Sequence, residues 1–562
     1  MKTLCHHCSS NFEITPDDLA FLDQVSPVIA GKKYPIPAPT LCPTCRWQRR
    51  LMFRNERNLY HRKCDLSGRS MISMHPAETP FPVYHITEWL SDKWDAKSYG
   101  KDFDFTRSFF DQFKQLVMSV PHFSAFVDPT MDQNSEYTNC SSEAKNCYLI
   151  TQAEKNEDCY YSRGINNCKN CCDCLRVHRC ELCYECISAR NCYRCLYCRD
   201  CDNCSDCYFS SELRGCRNCF GCHGLVQKEF HVFNKPVSPE EWDKTVKSLT
   251  LSHAVIAKMQ KRSAEIRLKV PQRASHIIQC ENSTGDDLLE CRGSTLCFDS
   301  NKLEHCAYCY ELANGAKDCR DFSMFGLNCE LCYEVNGGGY GMYHVLFSNH
   351  CWNTVSELMY CESCFPNVKN CFGCFGLRRA EYCILNKQYT KEEYEKLVPK
   401  IIEHMRKLKE YGEFFPGQTS VYAYNESLAS EFFPLPKEDV LRNGWHWRDE
   451  PEGSENYLGP KVAVPQTIAD AGNDVTEKIF RCEETGKPYR ITPQELALYR
   501  QLGTPLPRLC PAERHMDRMN QRRKRQLWDR PCEHCKKTIQ SSIAPESPEI
   551  VYCESCYLAS IY

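Results

Sequence analysis

The sequence predicts a mainly β, multidomain protein with helical caps, in which two cysteine-rich β-solenoids with short coils lie between terminal zinc-ribbon or treble-clef modules. Three observations support this prediction. Paired CxxC motifs lie near both ends, cysteines recur every 12 residues in the middle of the chain, and a second cysteine array follows the first. A chain of 562 residues is long enough for about three to five folded units.

The N-terminal module is predicted from two CxxC pairs. Cys5 and Cys8 form the first pair, and Cys42 and Cys45 form the second. Four cysteine thiolates can surround a zinc ion tetrahedrally, as they do in structural zinc sites. The spacer between the pairs contains Thr-Pro-Asp-Asp, a sequence typical of a capping box at the start of a helix.

The C-terminal module carries the same kind of motif. Cys532 and Cys535 are followed, after 17 intervening residues, by Cys553 and Cys556. This spacing lies within the range of zinc ribbons. The predicted cofactor is therefore Zn²⁺, in about two structural sites, with further zinc left open for the solenoids.

The two terminal modules resemble each other along their length. The N-terminal module contains FEITPDDLAFL, LCPTCRWQRR and LYHRKCDLSG, which align with YRITPQELALY, LCPAERHMDR and LWDRPCEHCK. Each module is thus predicted to hold one complete and one incomplete site. The incomplete sites consist of Cys482, Thr485, Cys510 and Glu513 in the C-terminal module and Cys64, Ser67, His85 and Glu88 in the N-terminal module. We expect them to bind no zinc, unless His515 or His85 acts as a substitute ligand.

The central cysteines recur with a fixed period. One series comprises Cys147, Cys159, Cys171, Cys183, Cys195, Cys207 and Cys219, and two further series lie three residues earlier and later. Phased series indicate an internal repeat. An α-helix does not suit them, because steps of three residues drift around a 3.6-residue turn. Twelve residues at about 3.3 Å each give a coil perimeter of roughly 40 Å, whose narrow interior suits small thiols.

Each CxxC in this region is predicted to span a corner of the coil. Residues three apart point to opposite faces of a straight strand, so the chain must bend if both cysteines face inward. Asparagine, which tolerates the left-handed backbone region, often precedes these cysteines. The asparagines are Asn146, Asn167, Asn191, Asn203 and Asn218.

Aromatic residues follow one cysteine series and are predicted to point outward. They are Tyr148, Tyr160, Tyr184, Tyr208 and Phe220. A ladder of rings could receive bases, peptides or another part of the same chain. Cover by the protein's own helices is the favoured interpretation, since large exposed apolar patches are rare.

The solenoid pattern closes and restarts. The closing segment NCFGCHGL, from Asn218, recurs as NCFGCFGL from Asn370, and a helix with a capping box is predicted after each. In the second array, aromatic residues recur at steps of 11 to 12, and a glycine run predicts a loop. These residues are Phe298, Tyr310, Phe322 and Tyr333, and the glycine run is Gly337–Gly339.

Three uses of the solenoid cysteines stay open at this point. Structural packing is favoured, zinc binding comes second, and disulfide or iron–sulfur chemistry comes last. The candidate metal ligands are Cys168, Cys171, Cys180, Cys183, Cys192, Cys195, Cys204 and Cys207.

These patterns give a series of predicted domains. They are the N-terminal zinc module (1–90), a helical connector (91–135), the first solenoid (136–236), a helical cap (237–275), the second solenoid (276–388), a second helical cap (389–412), an extended linker (413–470) and the C-terminal zinc module (471–562).

Composition limits the location and the partners. The chain has 70 Lys and Arg against 73 Asp and Glu, a net charge of −3, which excludes a globally basic nucleic-acid coat but permits local basic patches. The N-terminus lacks an apolar signal region, and no stretch of about 18 apolar residues occurs. We therefore expect a cytoplasmic protein without membrane contact. The oligomeric state is not predicted.

Four kinds of segment carry a family resemblance. They are LCPTCRWQRRLMFRNERNLYHRKCD, PFPVYHITEWLSDKWDAKSYGKDFDF, the NCFGCxGL closures and YAYNESLASEFFPLPKEDVLRNGWHW. These segments, which extend over nearly the whole chain, resemble a large family of uncharacterised cysteine-rich proteins of candidate-phyla-radiation bacteria. The terminal modules are also similar to a zinc-binding, treble-clef-like domain family. The resemblance implies zinc binding and leaves the function unassigned.

The favoured function is a non-catalytic scaffold for a macromolecular partner, either protein or nucleic acid. Basic residues interleaved with aromatic ones follow the Cys-Pro pairs at Cys42 and Cys510, here called the Cys-Pro knuckles. Nucleic-acid-binding proteins use this composition to pair with phosphates and to stack on bases. The candidate nucleic-acid contacts are Arg46, Arg49, Arg50, Arg54, Arg522, Arg523, Lys524 and Arg525. The alternative is a solvated helix face with ion pairs inside the chain, Glu56 being one partner.

Two other functions are weighed against the scaffold. A metal or thiol reservoir would explain the high thiol density and predicts much exchangeable metal. A thiol redox enzyme is the weakest interpretation, because no HExxH or phosphate-binding loop occurs and the repeated CxxC singles out no reactive pair. We predict that the protein is not an enzyme, with no catalytic residue.

Overall fold

The computed structural model describes residues 1–313, 315–327, 329–449 and 462–561, and the chain forms two compact units. Unit 1 comprises Met1–Ala125, Ser275–Arg448 and Arg525–Leu527. Unit 2 comprises Phe126–Ala274, Asp449–Lys524 and Trp528–Tyr562. Each unit therefore combines one terminal module with one solenoid that is distant from it in sequence. The predicted mainly β architecture with a central solenoid is confirmed.

The N-terminal segment of unit 1 is built from short hairpins and short helices. In chain order its elements are β1 (Lys2–Leu4), β2 (Asn11–Glu13), α1 (Pro16–Gln24), β3 (Val28–Ile29), β4 (Lys32–Lys33), α2 (Pro43–Leu51), β5 (Tyr60–Lys63), β6 (Ser70–Ser73), β7 (Val83–Tyr84), α3 (Ile86–Trp89), α4 (Phe109–Val117) and β8 (His122–Phe123). The strands pair as β1–β2, β3–β4 and β5–β6, all antiparallel, and β7–β8, parallel. The predicted capping box opens α1, where Thr15 and Asp18 exchange hydrogen bonds.

The first solenoid and its cap belong to unit 2. The elements are β9 (Asn139–Lys145), β10 (Thr151–Glu157), β11 (Ser205–Tyr208), β12 (Arg217–Phe220), β13 (Glu229–Val232), β14 (Lys235–Pro236), α5 (Pro239–Lys247), α6 (His253–Arg267) and β15 (Gln272–Arg273). Between β10 and β11 the coils pair through single parallel bridges at a constant step, so that Lys169 bridges Glu181 and Glu181 bridges Tyr193. This step equals the predicted period, which is therefore the structural coil.

Each coil has four sides of three residues. Asn167 takes the left-handed corner conformation with φ of 56°, Cys168 is buried inside, and Lys169 forms the bridge to the next coil. Left-handed residues recur at every third position through most of the solenoid, and all five asparagines predicted at corners have φ between 50° and 56°. The predicted corners within CxxC are confirmed.

Interior cysteines satisfy backbone groups that the coil leaves without backbone partners. The amide of Cys168 donates to Asn156 Oδ1 at 3.0 Å in the preceding coil, and the amide of Cys192 donates to Cys180 Sγ at 3.4 Å. The thiol of Cys180 in turn lies 3.4 Å from the carbonyl oxygen of His178. Cysteine thus occupies the same role as the serine or asparagine found at other interior positions, while it fills the core as a small apolar group.

The predicted aromatic ladder exists and is covered by the chain itself. Tyr148, Tyr160 and Cys172 bridge in one column that continues to Tyr184 and Tyr208, at the predicted period. Tyr160 and Tyr184 are 5% and 4% exposed, because they pack against the C-terminal segment of unit 2. The favoured interpretation of a covered ladder is therefore confirmed.

The second solenoid and the segments after it belong to unit 1. Its strands are β16 (Ile277–Ile278), β17 (Gly285–Leu289), β18 (Cys297–Asn301), β19 (Leu303–Glu304), β20 (Tyr310–Ala313), β21 (Ala316–Lys317), β22 (Ser323–Gly326), β23 (Asn336–Gly338), β24 (Met342–Leu346), β25 (Asn349–Cys351), β26 (Val355–Met359), β27 (Val368–Phe372), β28 (Ala380–Glu381), β29 (Cys383–Ile384) and β30 (Lys387–Gln388). The helices α7 (Lys391–Lys407), α8 (Leu428–Phe432) and α9 (Lys437–Arg442) follow. The predicted capping box of Thr390 and Glu393 opens α7.

The aromatic residues that recur at steps of 11 to 12 in the second solenoid do not form a single column. Phe298 bridges Tyr310, but Tyr310 bridges Ser323, and the following pairs keep this longer spacing. Phe322 consequently lies in the interior, and Tyr333 belongs to the column of Arg320. The coil gains one residue at this point, which a search for a constant period does not reveal.

The predicted glycine loop is also wrong for its first two residues. Gly337 and Gly338 lie in β23, which pairs with β22 and β25. A side chain at Gly337 would meet the His350 ring at 2.6 Å, and one at Gly338 would overlap the sulfur of Met342. The glycines therefore allow close packing inside the second solenoid.

At the end of each solenoid, an asparagine side chain makes the same pair of hydrogen bonds to the backbone of the last coil. Asn386, in the β29–β30 turn with φ of 63°, accepts a hydrogen bond from the amide of Phe375 at 2.9 Å and donates to its carbonyl at 2.8 Å. Asn234, in the β13–β14 turn, makes the same two bonds with His223. Each asparagine thus bonds an amide and a carbonyl that have no further coil to pair with. The predicted closing motif therefore marks the end of each solenoid.

The C-terminal segment of unit 2 repeats the plan of the N-terminal segment. Its elements are β31 (Phe480–Arg481), β32 (Pro488–Tyr489), α10 (Pro493–Leu502), α11 (Pro511–Asn520), β33 (Trp528–Pro531), β34 (Thr538–Ser541), β35 (Val551–Tyr552) and α12 (Glu554–Ile561). Strands β31–β32 and β33–β34 form antiparallel hairpins, and β35 pairs in parallel with β15. Of the predicted linker, residues 450–461 lie outside the described residues.

Candidate metal centres

Four thiols of the N-terminal segment converge on one point. Cys5 and Cys8 lie in the turn between β1 and β2, while Cys42 is the N-cap of α2 and Cys45 lies in the first turn of that helix. All four sulfur atoms lie within 4.8 Å of one another, and those of Cys8 and Cys42 are 3.8 Å apart. Only Cys8 is exposed. The predicted ligand set is therefore brought together by the fold.

The C-terminal segment assembles its four thiols in the same way. Cys532 and Cys535 lie in the turn between β33 and β34, Cys553 directly precedes α12, and Cys556 lies in the first turn of α12. The four sulfur atoms again lie within 4.8 Å of one another, with Cys535 and Cys553 3.8 Å apart. This second predicted group is more accessible, since only Cys532 is buried.

In each group, hydrogen bonds favour the thiolate form of one cysteine, whereas the cysteine three residues further on has a raised pKa. The amide of Cys42 donates to Cys5 Sγ at 3.3 Å, and the amide of Cys553 donates to Cys532 Sγ at 3.2 Å. A hydrogen bond from the thiol three residues further on lowers the pKa of Cys42 to about 4, and one from a serine hydroxyl lowers the pKa of Cys553 to about 6. Because the thiolate is the form that binds metal, each group is suited to hold a soft metal ion.

The CxxC turn has the same backbone in the complete and the incomplete sites. In each site the amide of the first cysteine donates to the carbonyl five residues on, and the residue four positions on donates back to the cysteine carbonyl. The first cysteines are Cys5, Cys64, Cys482 and Cys532. The residues four positions on, Ser9, Gly68, Gly486 and Lys536, have φ between 58° and 76°. This agreement supports the predicted duplication.

The incomplete site of the N-terminal module has other partners for its remaining groups. Cys64 donates to Glu88 Oε2 at 2.6 Å, and the amide of His85 donates to Cys64 Sγ at 3.3 Å. The ring of His85 faces Thr87, with 2.7 Å between Nδ1 and Oγ1, and His515 is buried. Among the described residues, neither incomplete site brings three ligand atoms within 4.8 Å of one another.

The eight solenoid cysteines predicted as further ligands interact with the backbone. Their sulfur atoms lie 3.2 to 3.6 Å from the carbonyl oxygen two residues earlier. Within the described part of the chain, only the two terminal groups gather three or more ligand atoms within 4.8 Å. The geometry of the solenoid thiols therefore favours packing, and metal binding by them stays a prediction.

The basic residues after the N-terminal knuckle pair with acids of the second solenoid, inside unit 1. Arg46 forms a buried ion pair with Asp321. Arg50 Nη1 lies 3.5 Å from Asp321 and 3.7 Å from Glu334, and Arg49 lies 2.8 Å from Glu334. These guanidinium groups are therefore engaged within the fold.

Unit 2 contains the equivalent arrangement. Arg514 and Arg518, on α11, lie 2.6 and 3.0 Å from the carboxylate of Asp173, and Arg518 lies 3.1 Å from Glu185. Asp173 and both arginine side chains are at most 4% exposed. The same helix position in each terminal module thus binds a solenoid of its own unit.

The other predicted nucleic-acid contacts have mostly intrachain partners. Arg54 pairs with Glu56 at 2.6 Å, Arg523 with Glu212 at 3.1 Å, and Arg525 with Asp299 and Glu311. Arg522 is half-buried, whereas Lys524 is exposed. The ion pairs inside the chain, including the predicted one with Glu56, are the observed arrangement for these arginines.

Sequence reasoning missed the acidic partners of these arginines. Asp173 and Glu185 occupy equivalent corners of consecutive coils, one coil after Tyr161, and Asp321 and Glu334 are related in the same way in the second solenoid. The preceding corner tyrosine in each solenoid lies under a guanidinium group, 4.5 Å from Arg514 in unit 2. The shared order Tyr-Asp-Glu at coil spacing is the signal that could have revealed them.

A cleft of about 280 Å³ in unit 1 lies beside β3, the second solenoid and α7. Its lining includes Tyr382, Lys391 and His344, whose ring contacts Glu357 at 2.6 Å and the carbonyl of Val25 at 2.8 Å. Since both ring nitrogens face acceptors, His344 is committed to structural hydrogen bonds.

Comparisons with known proteins identify no family for this chain. No family model matches the sequence, and no curated protein matches it. One solved structure, described as a "putative acetyltransferase from Desulfovibrio desulfuricans G20", is similar at 8% identity and a TM-score of 0.10, and the match covers 43% of this chain and 65% of that one. Among the described residues, no helix has the length and apolar character needed to cross a membrane.

Proposed function

We propose that the chain is a non-catalytic scaffold that holds two structural zinc ions and binds a macromolecular partner. One observation carries the proposal: the solenoid thiols and most of the basic residues after Cys42 and Cys510 have interaction partners within the fold. Interior thiols contact backbone carbonyls, and acids at the coil corners hold the knuckle arginines. Two Cys₄ groups are left for metal among the described residues.

Zinc is the metal that best suits these two groups. Four thiolates in a closed tetrahedral shell are the ligand set of structural zinc, and a β-turn CxxC followed by a CxxC at a helix N-terminus supports a zinc-ribbon or treble-clef type of module. Metal analysis of protein purified anaerobically should give about two zinc ions and no iron. Cys5→Ser and Cys532→Ser should each remove one, whereas the matched solenoid variant Cys180→Ser should remove none.

The same measurement separates the scaffold from a thiol reservoir. The 44 cysteines form no disulfide in the structure, and those of the solenoids are almost all buried. A reservoir requires metal well beyond two ions, with rapid exchange to a competing chelator. Such a result would contradict the structural role proposed for the solenoid thiols.

A protein partner is favoured over nucleic acid. Of the eight predicted nucleic-acid contacts, Arg46, Arg50 and Arg54 are buried and only Lys524 is exposed. Titration of labelled single-stranded RNA and duplex DNA into the zinc-loaded protein, at increasing salt, tests this choice. Tight binding that weakens steeply with salt, and weakens again in Lys524→Glu, would instead support phosphate contacts.

A further inference from the structure

Unit 2 keeps two thiols in a site that has lost the other two ligands of a Cys₄ group. Cys482 lies in the β31–β32 turn, and Cys510 is the N-cap of α11. Thr485 and Glu513 take the positions that hold cysteine in the complete N-terminal group. The site therefore retains one thiol from the turn and one from the helix start.

The backbone that positions the two thiols matches the complete group. The amide of Glu483 donates to the carbonyl of Arg508 at 3.2 Å, which ties the turn to the segment before α11. In the N-terminal group, His6 donates to Thr40 at 3.1 Å in the same place. There the corresponding sulfur atoms lie within 4.8 Å of each other. The shared backbone contacts indicate a similar separation for Cys482 and Cys510.

The two thiols lie in one buried cluster of unit 2 and differ in acidity. Burial acts to raise the pKa of both, but a hydrogen bond from the Thr485 hydroxyl leaves the pKa of Cys482 lowered, whereas that of Cys510 is raised. Cys482 is thus the better nucleophile of the pair.

Access to the pair differs from access to the solenoid thiols. Cys482 and Cys510 are 3% and 5% exposed, and the turn residues between Cys482 and Gly486 are all exposed. A small oxidant has to pass only this turn. Thiols such as Cys171 and Cys183 are 0% exposed, because neighbouring coils enclose them.

We propose that Cys482 and Cys510 form a reversible disulfide, with a small hydroperoxide as the oxidant. The Cys482 thiolate attacks a peroxide oxygen, so that an S–O bond forms, the O–O bond breaks, and the leaving group departs as water or alcohol with the thiol proton. The Cys510 thiol then attacks the Cys482 sulfur. An S–S bond forms and the hydroxyl leaves as water with the second proton.

Neither the oxidation nor its reversal requires a metal ion. The hydroperoxide gains two electrons, which the two thiols lose, and an external dithiol regenerates them by thiol–disulfide exchange. The new bond would join the β31–β32 turn to α11, the helix whose Arg514 and Arg518 bind Asp173. Oxidation would therefore fasten the module that contacts the first solenoid.

Peptide mapping of the zinc-loaded, full-length protein tests the proposal. After brief hydrogen peroxide treatment, alkylation and digestion, we expect a peptide pair joined through Cys482 and Cys510 that disappears with dithiothreitol. In Cys510→Ser, dimedone should trap a sulfenic acid on Cys482. Cys64 is the internal control, since its site keeps one thiol beside Glu88 and should give no disulfide within the site.

Two outcomes would overturn the proposal. One is the absence of the linked peptide at a peroxide dose that lets dimedone label Cys482. A second is the loss of a third zinc equivalent from Cys482→Ser, which would make the pair a metal site.

Discussion

Arg518 Nη1 lies 3.0 Å from Asp173 Oδ1, and both side chains are fully buried. Arg50 and Asp321 occupy the equivalent positions in unit 1, 3.5 Å apart and equally buried. In each unit, therefore, the helix that follows a Cys-Pro knuckle is fixed to two acidic corners of a solenoid. This relationship explains why the basic stretches belong to the fold.

Asp173→Asn should destabilise unit 2 strongly. It leaves Arg514 and Arg518 buried without their shared carboxylate, and removal of one partner from a buried ion pair costs about 3–5 kcal/mol. Hydrogen–deuterium exchange of α11 peptides measures the loss locally. Glu157→Gln, which alters an exposed pair with Lys145, is the matched control and should leave exchange nearly unchanged. Equal effects of the two variants would contradict the buried ion pair as a stabilising contact.

Cys180→Ala should cost more stability than Cys180→Ser. The sulfur of Cys180 accepts the amide of Cys192 at 3.4 Å, and alanine would leave that buried N–H without an acceptor, at about 1–3 kcal/mol. Serine keeps an acceptor, as Ser162 does for the amide of Cys174 at 2.9 Å. Urea unfolding of the two variants under reducing conditions checks the order. If Cys180→Ser lost more stability than Cys180→Ala, the thiol would contribute only apolar packing and not the hydrogen bond.

Replacement of Asn386, the asparagine at the end of the second solenoid, should destabilise the last coil. Asn386→Gly keeps the left-handed turn but leaves the amide and carbonyl of Phe375 without partners, at about 1–3 kcal/mol for each group. Asn386→Ala should cost about 1–2 kcal/mol more, because alanine is strained at φ of 63°. Hydrogen–deuterium exchange of peptides that cover β29 and β30 measures the loss of stability in both variants. Asn234→Gly is the matched change in unit 2.

His344 should stabilise unit 1 at low pH more than at high pH. Burial opposes its charge, but the hydrogen bond to Glu357 outweighs burial and raises the pKa of His344. A raised histidine pKa contributes stability that is complete below the unfolded value of about 6.5 and is lost as the pH rises through the folded value. Thermal melts from pH 6 upward, compared with His344→Gln, should show a pH-dependent difference. A difference that does not change with pH would contradict a charged imidazole.

His75 should make the same unit sensitive to acid. Its ring is 1% exposed, neither ring nitrogen has a hydrogen-bond partner among the described residues, and burial lowers its pKa well below the usual value. The stability that depends on neutral His75 is therefore present above about pH 6.5 and is lost as the pH falls. His75→Phe keeps the ring between Phe81 and Tyr422 and should raise the urea midpoint, more at pH 5 than at pH 7. Parallel pH profiles for the variant and the wild type would refute this.

The sequence predicted features that depend on local geometry or strict repetition. CxxC spacing located both Cys₄ groups, and asparagine before cysteine located the corners, because each signal lies within a few residues. The longer coil after Tyr310 escaped detection because a single insertion breaks the period. The partners of Arg46 and Arg514 lie hundreds of positions away, so a charge run alone suggests a solvated surface.

The pairing of each terminal module with a distant solenoid constrains the order of folding. Arg46 and Asp321 are separated by 275 residues. At a synthesis rate of roughly 5–20 residues per second, the N-terminal module waits about 14–55 s before its partner leaves the ribosome. During that interval the arginines of α2 cannot be buried with their acids, so the Cys₄ group and local hairpins must hold the module together alone. Early metal loading of this Cys₄ group is therefore expected to decide how much newly made chain reaches the native state.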